Sequence, residues 1–456
     1  MVGRTVAAEP ALTVDRAAPH TIPRQLADGL REQIRRRVLR PGWRLPATRE
    51  LARQLGVSRA VAQMAYDQLR AEGWVEGRAG AGTFVADVGE LRPRGRSSGR
   101  RPVTTHECPL ISLRPGMPLA AARAEPGWRR AWREVSARVP PPGYPDPYGL
   151  PDLRAALAEY LARARGVACD PEEVLVTDGT THGLRLLLAA TQHDRVGLED
   201  PGYRSAARAI GPGKLVDCPV DEEGVVVDRL PPRLSAVYVT PAHQYPLGGR
   251  LPAARRTALI GWARRHHALV VEDDYDGEFR YDVEPLPALA QLDRRRVVYL
   301  GTVSKVLGPA LRLGWLVADA ALVERIAAWR SGMGDWPAWP SQQALLGLLA
   351  DGQVDQAIRR DRRRYAKRRT RVCAALEPFG RVVGQEAGIH VTLLLPAGTD
   401  AEAVRAAAAD AGVDVDTLAH YRRSIAGPPG LVVGYGGCSD AELDRGLDLL
   451  AAALRG

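Results

Sequence analysis

The chain carries almost all of its positive charge as arginine: of 63 cationic side chains, three are lysine, at Lys214, Lys305 and Lys367. Arginine stays protonated, whereas a lysine amine can lose its proton and attack a carbonyl carbon. Lys305 closes the stretch Val297-Val298-Tyr299-Leu300-Gly301-Thr302-Val303-Ser304-Lys305, an apolar run followed by a polar step. Lys214 and Lys367 lack such a setting and read as surface residues. Four earlier apolar runs end in the same way. The run at 174–177 leads to Asp178-Gly179-Thr180-Thr181, and that at 195–199 to Asp200-Pro201-Gly202-Tyr203. The run at 236–239 leads to Thr240-Pro241-Ala242-His243-Gln244-Tyr245-Pro246, and that at 268–271 to Glu272-Asp273-Asp274-Tyr275.

Apolar runs alternating with helical stretches predict an α/β fold with a mainly parallel sheet, whose ligands sit off the carboxyl ends of the strands. The strand-end residues then describe their own ligand. Gly179-Thr180-Thr181, opening a helix, offers N–H groups and hydroxyls to a phosphate, and Arg312 supplies a bidentate partner. A buried acid suits a protonated ring nitrogen, Tyr203 suits the face of a flat ring, and Lys305 suits an aldehyde as a Schiff-base amine. Phosphate, ring nitrogen and aldehyde together describe pyridoxal 5′-phosphate. No Cys/His spacing marks a metal site, and the five cysteines lie far apart.

The elements that precede this domain have a different character. Residues 1–108 hold 19 arginines against 11 acids, while the whole chain is +10, which is the asymmetry of a nucleic-acid-binding module joined to a near-neutral domain. Residues 1–19 predict a flexible arm. Leu26, Leu30, Ile34 and Val38 predict a helix from Pro23 that stops at Arg40-Pro41-Gly42. Thr48 is the expected N-cap of a second helix ending at Gly56, and Ser58 that of a third with Val61, Met64, Ala65 and Leu69 inward. A β-hairpin with its tip at Gly77–Gly82 follows. Three helices and a hairpin make a winged helix-turn-helix, with Arg59 and Gln63 able to read base edges and Arg49 and Arg78 suited to phosphates. Residues 88–108 form a basic linker without apolar period. No apolar run approaches the ~20 residues of a membrane span, and no signal peptide is legible; the expected location is the cytoplasm.

Leu45-Pro46-Ala47-Thr48-Arg49-Glu50-Leu51-Ala52, Leu55-Gly56-Val57-Ser58-Arg59 and Gly80-Ala81-Gly82-Thr83-Phe84-Val85 resemble the GntR-type winged helix. Tyr144-Pro145-Asp146-Pro147-Tyr148-Gly149, Glu199-Asp200-Pro201-Gly202-Tyr203, Glu272-Asp273-Asp274-Tyr275-Asp276-Gly277-Glu278-Phe279 and Gly301-Thr302-Val303-Ser304-Lys305 through Arg312-Leu313-Gly314-Trp315 resemble the aminotransferase-like domain of MocR-type regulators, a GntR subfamily. The resemblance implies a winged helix over 20–87 and a fold type I pyridoxal-phosphate domain over 109–456, its large part about 140–335 and its small part 336–456 with 109–139. It implies operator DNA held by a homodimer through Arg49, Arg59 and the wing at Gly80 and Gly82, to which the reading of the residues adds Ser58, Gln63 and Arg78. It implies the cofactor joined to Lys305, its ring nitrogen at Asp273, its ring hydroxyl at Tyr275, its ring against Tyr203 and its phosphate at Gly179, Thr180, Thr181, Thr302 and Arg312.

Two departures bear on function. The strand-end turn carries Tyr245 before Pro246, where aminotransferases of this fold carry Asn. Val432 stands where they place the arginine that grips an α-carboxylate, with Arg422 and Arg423 as nearby substitutes. The expected function is therefore a regulator that senses pyridoxal phosphate or its adduct with an amino acid or amine. The alternative is an aminotransferase with a secondary DNA-binding module.

Overall fold

The computed structural model describes residues 7–78, 80–89, 110–119, 125–283, 286–424 and 426–456. The chain divides into two compact units, Met1–Thr105 and His106–Gly456. The linker expected at 88–108 lies, beyond residue 89, outside the described residues.

In the first unit, helices α1 (Ile22–Arg35), α2 (Thr48–Leu55) and α3 (Arg59–Ala71) precede strands β1 (Val75–Arg78) and β2 (Gly82–Val85). The strands pair antiparallel, Val75 opposite Val85 and Arg78 opposite Gly82. Leu26, Leu30, Ile34, Leu51, Ala62, Ala65, Tyr66, Leu69 and Val85 fill one core. The helices follow the sequence reading with three corrections. First, α1 ends at Arg35, because Arg37 turns into the left-handed region at φ 58, so Val38 is 56% exposed. Second, Ala47 is the N-cap of α2 and Thr48 its first residue, with no side-chain cap. Third, Met64 is 59% exposed, because Ala62 and Tyr66 supply the inward face of α3 instead. Ser58 does cap α3, accepting from the Val61 N–H, and Gly56 closes α2 at φ 61.

The arm is not loose over its described part. Ala8 is 3% exposed and donates its N–H to the Arg44 carbonyl at 2.8 Å. The Gln33 amide both donates to and accepts from the Ala11 backbone, and Leu12 and Val14 pack against the core. Backbone pairing of this kind leaves no apolar period in the sequence.

The second unit is built on an eight-stranded sheet. After β3 (Ile111–Ser112), α4 (Pro126–Ala137) and α5 (Pro151–Arg165), its strands are β4 (Val174–Thr177), β5 (Val196–Asp200), β6 (Leu215–Asp221), β7 (Gly224–Val225), β8 (Ala236–Val239), β9 (Leu269–Asp274), β10 (Val297–Thr302) and β11 (Gly314–Val317). Their spatial order is β4-β11-β10-β9-β8-β5-β6-β7. Strands β10, β9, β8, β5 and β6 run parallel, as the alternating sequence predicts, whereas β11 is antiparallel to both β10 and β4. All five expected strands lie in this sheet; β6, β7 and β11 were not anticipated.

Gly314, the first residue of β11, pairs with Thr302 and Thr177, the last residues of β10 and β4. The antiparallel strand thus carries Arg312, just before it, to the carboxyl edge of its parallel neighbours. Helix α6 (Thr180–Thr191) starts from the same edge. A smaller sheet of β12 (Arg381–Val383), β13 (His390–Leu394), β15 (Asp416–Thr417) and β16 (Gly430–Gly434) follows, with β14 (Val413–Asp414) paired to β3. The segment at 113–118 lies across the end of β16: a Cβ on Gly434 would run into the Arg114 carbonyl, and one on Gly436 into the Met117 carbonyl.

Candidate functional sites

On the first unit, Arg49 and Arg59 are exposed at the starts of α2 and α3 and make no ion pair among the described residues. Gly80 and Gly82 are exposed at the hairpin turn with φ 71 and 115, which favours glycine there. The other candidates hold partners of their own. The Ser58 hydroxyl is engaged as the α3 cap, Gln63 donates to Asp67 at 2.9 Å, and Arg78 pairs with Glu76 and lies 4.5 Å over the Phe84 ring.

On the second unit, all nine residues singled out by the strand ends line one cavity of about 260 Å³. These are Gly179, Thr180, Thr181, Tyr203, Asp273, Tyr275, Thr302, Lys305 and Arg312. The phosphate-type end is a helix start: Gly179, at φ 105, is the N-cap of α6, and no side chain caps it. A Cβ on Gly179 would sit 3.9 Å from the Thr302 hydroxyl and 4.0 Å from Arg312, so these groups converge on the free N–H groups of the helix. Arg312 itself is held at φ 53, an unusual conformation for a non-glycine residue.

Burial dominates the electrostatics of the rest. It pushes the Asp273 carboxyl up to about 7, against opposing hydrogen bonds from the Tyr238 and Thr180 hydroxyls. The Asp273 Oδ1 is buried with no hydrogen-bond partner, so the site presents an acceptor that a ligand donor would satisfy. Burial also lowers the Lys305 amine below its ordinary value, with Asp276 and Asp273 opposing. Lys305 Nζ donates to the Gly116 carbonyl at 2.6 Å.

Sequence reasoning missed several lining residues. Gly116 and Met117 come from the segment at 113–118, His390 is the first residue of β13 and Ile389 directly precedes it; no local pattern marks any of them. Tyr245, before Pro246, does line the cavity and meets the Tyr203 ring edge-on at 5.8 Å. His243, Asp276 and His390 bring donor atoms within 4.8 Å of one another. Their separation along the chain hides this grouping from any spacing rule.

Two family models match the chain: the gntR family of bacterial regulatory proteins over residues 23–85, and class I and II aminotransferases over 119–450. The HTH-type pyridoxine biosynthesis transcriptional regulator PdxR of Corynebacterium glutamicum is 39% identical, with 92% of each chain covered. The probable rhizopine catabolism regulatory protein MocR of Rhizobium meliloti is 33% identical over 97% of this chain and 95% of its own. The chain belongs to the MocR-type GntR regulators. It is an HTH-type transcriptional regulator with an aminotransferase-like domain, in a family whose helix-turn-helix binds operator DNA.

The fold of the regulator's second unit is that of fold type I aminotransferases. An archaeal alanine:glyoxylate aminotransferase is similar at TM-score 0.71 and 26% identity, over 76% of this chain and 91% of its own. The α-aminoadipate aminotransferase LysN of Thermus thermophilus is similar at TM-score 0.69 and 26% identity, over 76% and 92%. Against that likeness, the regulator's two substitute arginines face elsewhere. Arg423 is bound to Asp217 at 2.6 Å and to the Leu198 and Glu199 carbonyls, and Arg422 to the Pro428 carbonyl. Val432 is buried in an apolar and aromatic group with Tyr245, Leu418 and Tyr421. Among the described residues no helix is long and apolar enough to cross a membrane.

Proposed function

We propose that this regulator binds pyridoxal 5′-phosphate at Lys305 and that the cofactor, alone or joined to an amino compound, changes how a homodimer engages operator DNA. The observation that carries the reading is the cavity itself. An amine kept low by burial, an unpartnered buried carboxylate oxygen and an uncapped helix start with Arg312 converge there. This donor set fits the cofactor. Lys305 would hold it covalently, Asp273 would accept from its ring nitrogen, and Thr180, Thr181, Thr302 and Arg312 would hold its phosphate. When bound, the cofactor supplies an electrophilic carbon conjugated to an electron-withdrawing ring.

The protein's own part is to bind and orient. Tyr203 and Tyr275 line the cavity wall, where Tyr203 would stack on the ring and Tyr275 would meet its hydroxyl. Effector action requires that the ligand favour one arrangement of the protein over another. The aminotransferase reading draws on the fold, but Lys305 and Arg312 are the cations lining the cavity among the described residues, and Arg312 is committed to the phosphate end. A substrate α-carboxylate would go without a cationic partner.

The test is reconstitution. Purified protein with pyridoxal phosphate should show a visible absorbance band that borohydride fixes and that Lys305→Ala abolishes, and DNA binding upstream of its own gene should change with the cofactor. Retention of the same covalent band in Lys305→Ala would refute the site. Sustained turnover of an amino acid with an oxo-acid acceptor would move the assignment to the enzyme.

A further inference from the structure

The long helix Gln353–Leu376 of the second unit carries nine cationic side chains between Arg359 and Arg371. Six of them are committed within the fold. Arg360 lies 2.8 Å from Glu125 and 2.9 Å from Asp361. Arg364, Arg368 and Arg371 gather on Asp440 at 3.1, 2.9 and 2.7 Å. Arg362 donates to the Val283 carbonyl, and Arg369 donates to the Gln385 carbonyl and lies over the Tyr281 ring. The remaining three are Arg359, Arg363 and Lys367, which make no ion pair among the described residues. Arg363 Nε donates to the Arg359 carbonyl at 3.2 Å, which leaves its two terminal nitrogens to solvent.

These three recur every fourth residue, so they share one face of the helix. The exposed residues of the helix are Gln356, Arg359, Arg363, Lys367, Thr370 and Ala374, and none of them is acidic. Its two acids turn away from that face: Asp361 is 1% exposed, and Asp355 pairs with Arg163 at 3.0 Å. Four residues advance a helix by about 6 Å, so the three cations form a row about 12 Å long. Like charges at this spacing repel one another in water, and no acid on the face offsets the repulsion. A row of phosphates would. Duplex DNA carries one charge per about 1.7 Å of its axis, and three long side chains in a row can each meet a different phosphate. An exposed helix face is convex, which suits an extended polyanion better than a small anion.

We infer that Arg359, Arg363 and Lys367 form a second DNA contact, on the unit otherwise given to the ligand, and that this stripe binds backbone phosphates of the duplex that the helix-turn-helix reads. The chain is an HTH-type regulator of a family that binds operator DNA, so duplex DNA is the polyanion brought to it. Binding by the first unit raises the local concentration of that duplex around the second, so a weak contact suffices. Phosphate contacts carry no sequence information; the stripe adds affinity and salt dependence while base recognition stays with the first unit. The inference goes beyond the cofactor reading and does not depend on it.

The experiment titrates the full chain onto a duplex from upstream of its own gene, and onto an unrelated duplex of the same length, over a range of salt. Arg359→Gln, Arg363→Gln and Lys367→Gln combined should flatten the slope of log affinity against log salt by about two to three for each engaged protomer. At about 0.15 M salt each lost contact should weaken binding about five-fold, and alike on the two duplexes. Lys367→Arg should keep the parent's slope, since either cation serves a phosphate. The three side chains are exposed, so the melting temperature should hold. Should the triple variant melt early, Lys367→Gln alone, with about a third of the change in slope, carries the test. Parent-like slopes and affinities in the variants would overturn the contact and leave the stripe a solvated face. A loss confined to the upstream duplex would overturn it too, because phosphates look the same on every sequence.

Discussion

On the first unit, Arg49 and Arg59 stand in solvent with no ion pair among the described residues. On the second, Arg165, Arg330 and Arg368 are at most 2% exposed and are bonded to backbone carbonyls or acids: Arg165 to Asp274, Arg330 to Val176 and Pro147, Arg368 to Asp440 and Tyr435. The same residue type therefore does opposite work. An exposed guanidinium without a partner keeps its full capacity for a phosphate or a guanine edge. A buried one is already committed, and its removal strands an acid in a low-dielectric interior. Composition cannot separate these uses; environment does.

The contrast can be broken at several points, in descending order of effect. Arg165→Met strands the Asp274 carboxylate, which the arginine contacts at 2.5 Å, and should cost about 3–5 kcal/mol of stability in the second unit by denaturant unfolding. A loss below about 1 kcal/mol would mean that Tyr299, 2.7 Å from the same carboxylate, suffices alone. Arg59→Ala should do the reverse, leaving the melting temperature in place while weakening operator binding by about 1–3 kcal/mol. Equal weakening on unrelated DNA would reassign Arg59 from base reading to phosphate contact.

A third measurement uses pH. The Asp273 carboxyl is raised from 3.8 to about 7 in the folded protein, so its contribution to stability is full below about pH 4 and is lost as pH rises toward 7. The cofactor-free parent should lose stability across that window more steeply than Asp273→Asn. Coincident curves would place the pH dependence on Glu199, Glu272 and Glu278, which burial also raises to about 7. Ser58→Ala removes the α3 cap and should cost about 1 kcal/mol, read in the melting of the first unit. Arg78→Ala, finally, should lower the slope of log affinity against log salt by about one, with little change in sequence preference.

The cavity was legible because five strands run the same way and so deliver their ends to one edge; each strand end is a local pattern. What the sequence hid was assembled from distant pieces. Strand β11 is short and continues the run after Lys305, so its reversal left no mark. His243, Asp276 and His390 come from three separate elements, and Gly116 offers the amine a backbone carbonyl, which no residue type announces. On the first unit the helical period was correct until backbone conformation overrode it. Arg37 adopts φ 58, α1 stops, and Val38 falls outside the core its spacing had assigned it.

The bed of glycines beneath the segment at 113–118 has a mechanical meaning. The segment is tied at its ends by the Leu113 N–H to the Asp414 carbonyl, the Gly434 N–H to the Leu113 carbonyl and the Leu119 N–H to the Tyr365 hydroxyl, and between them its backbone rests on Gly434 and Gly436. Close packing leaves no slack at such a contact, so even one added carbon atom is felt. The stretch holding Gly116 over the lysine is thus seated main chain against main chain, and a single methyl group at Gly436, running into the Met117 carbonyl, would lift it from its seat.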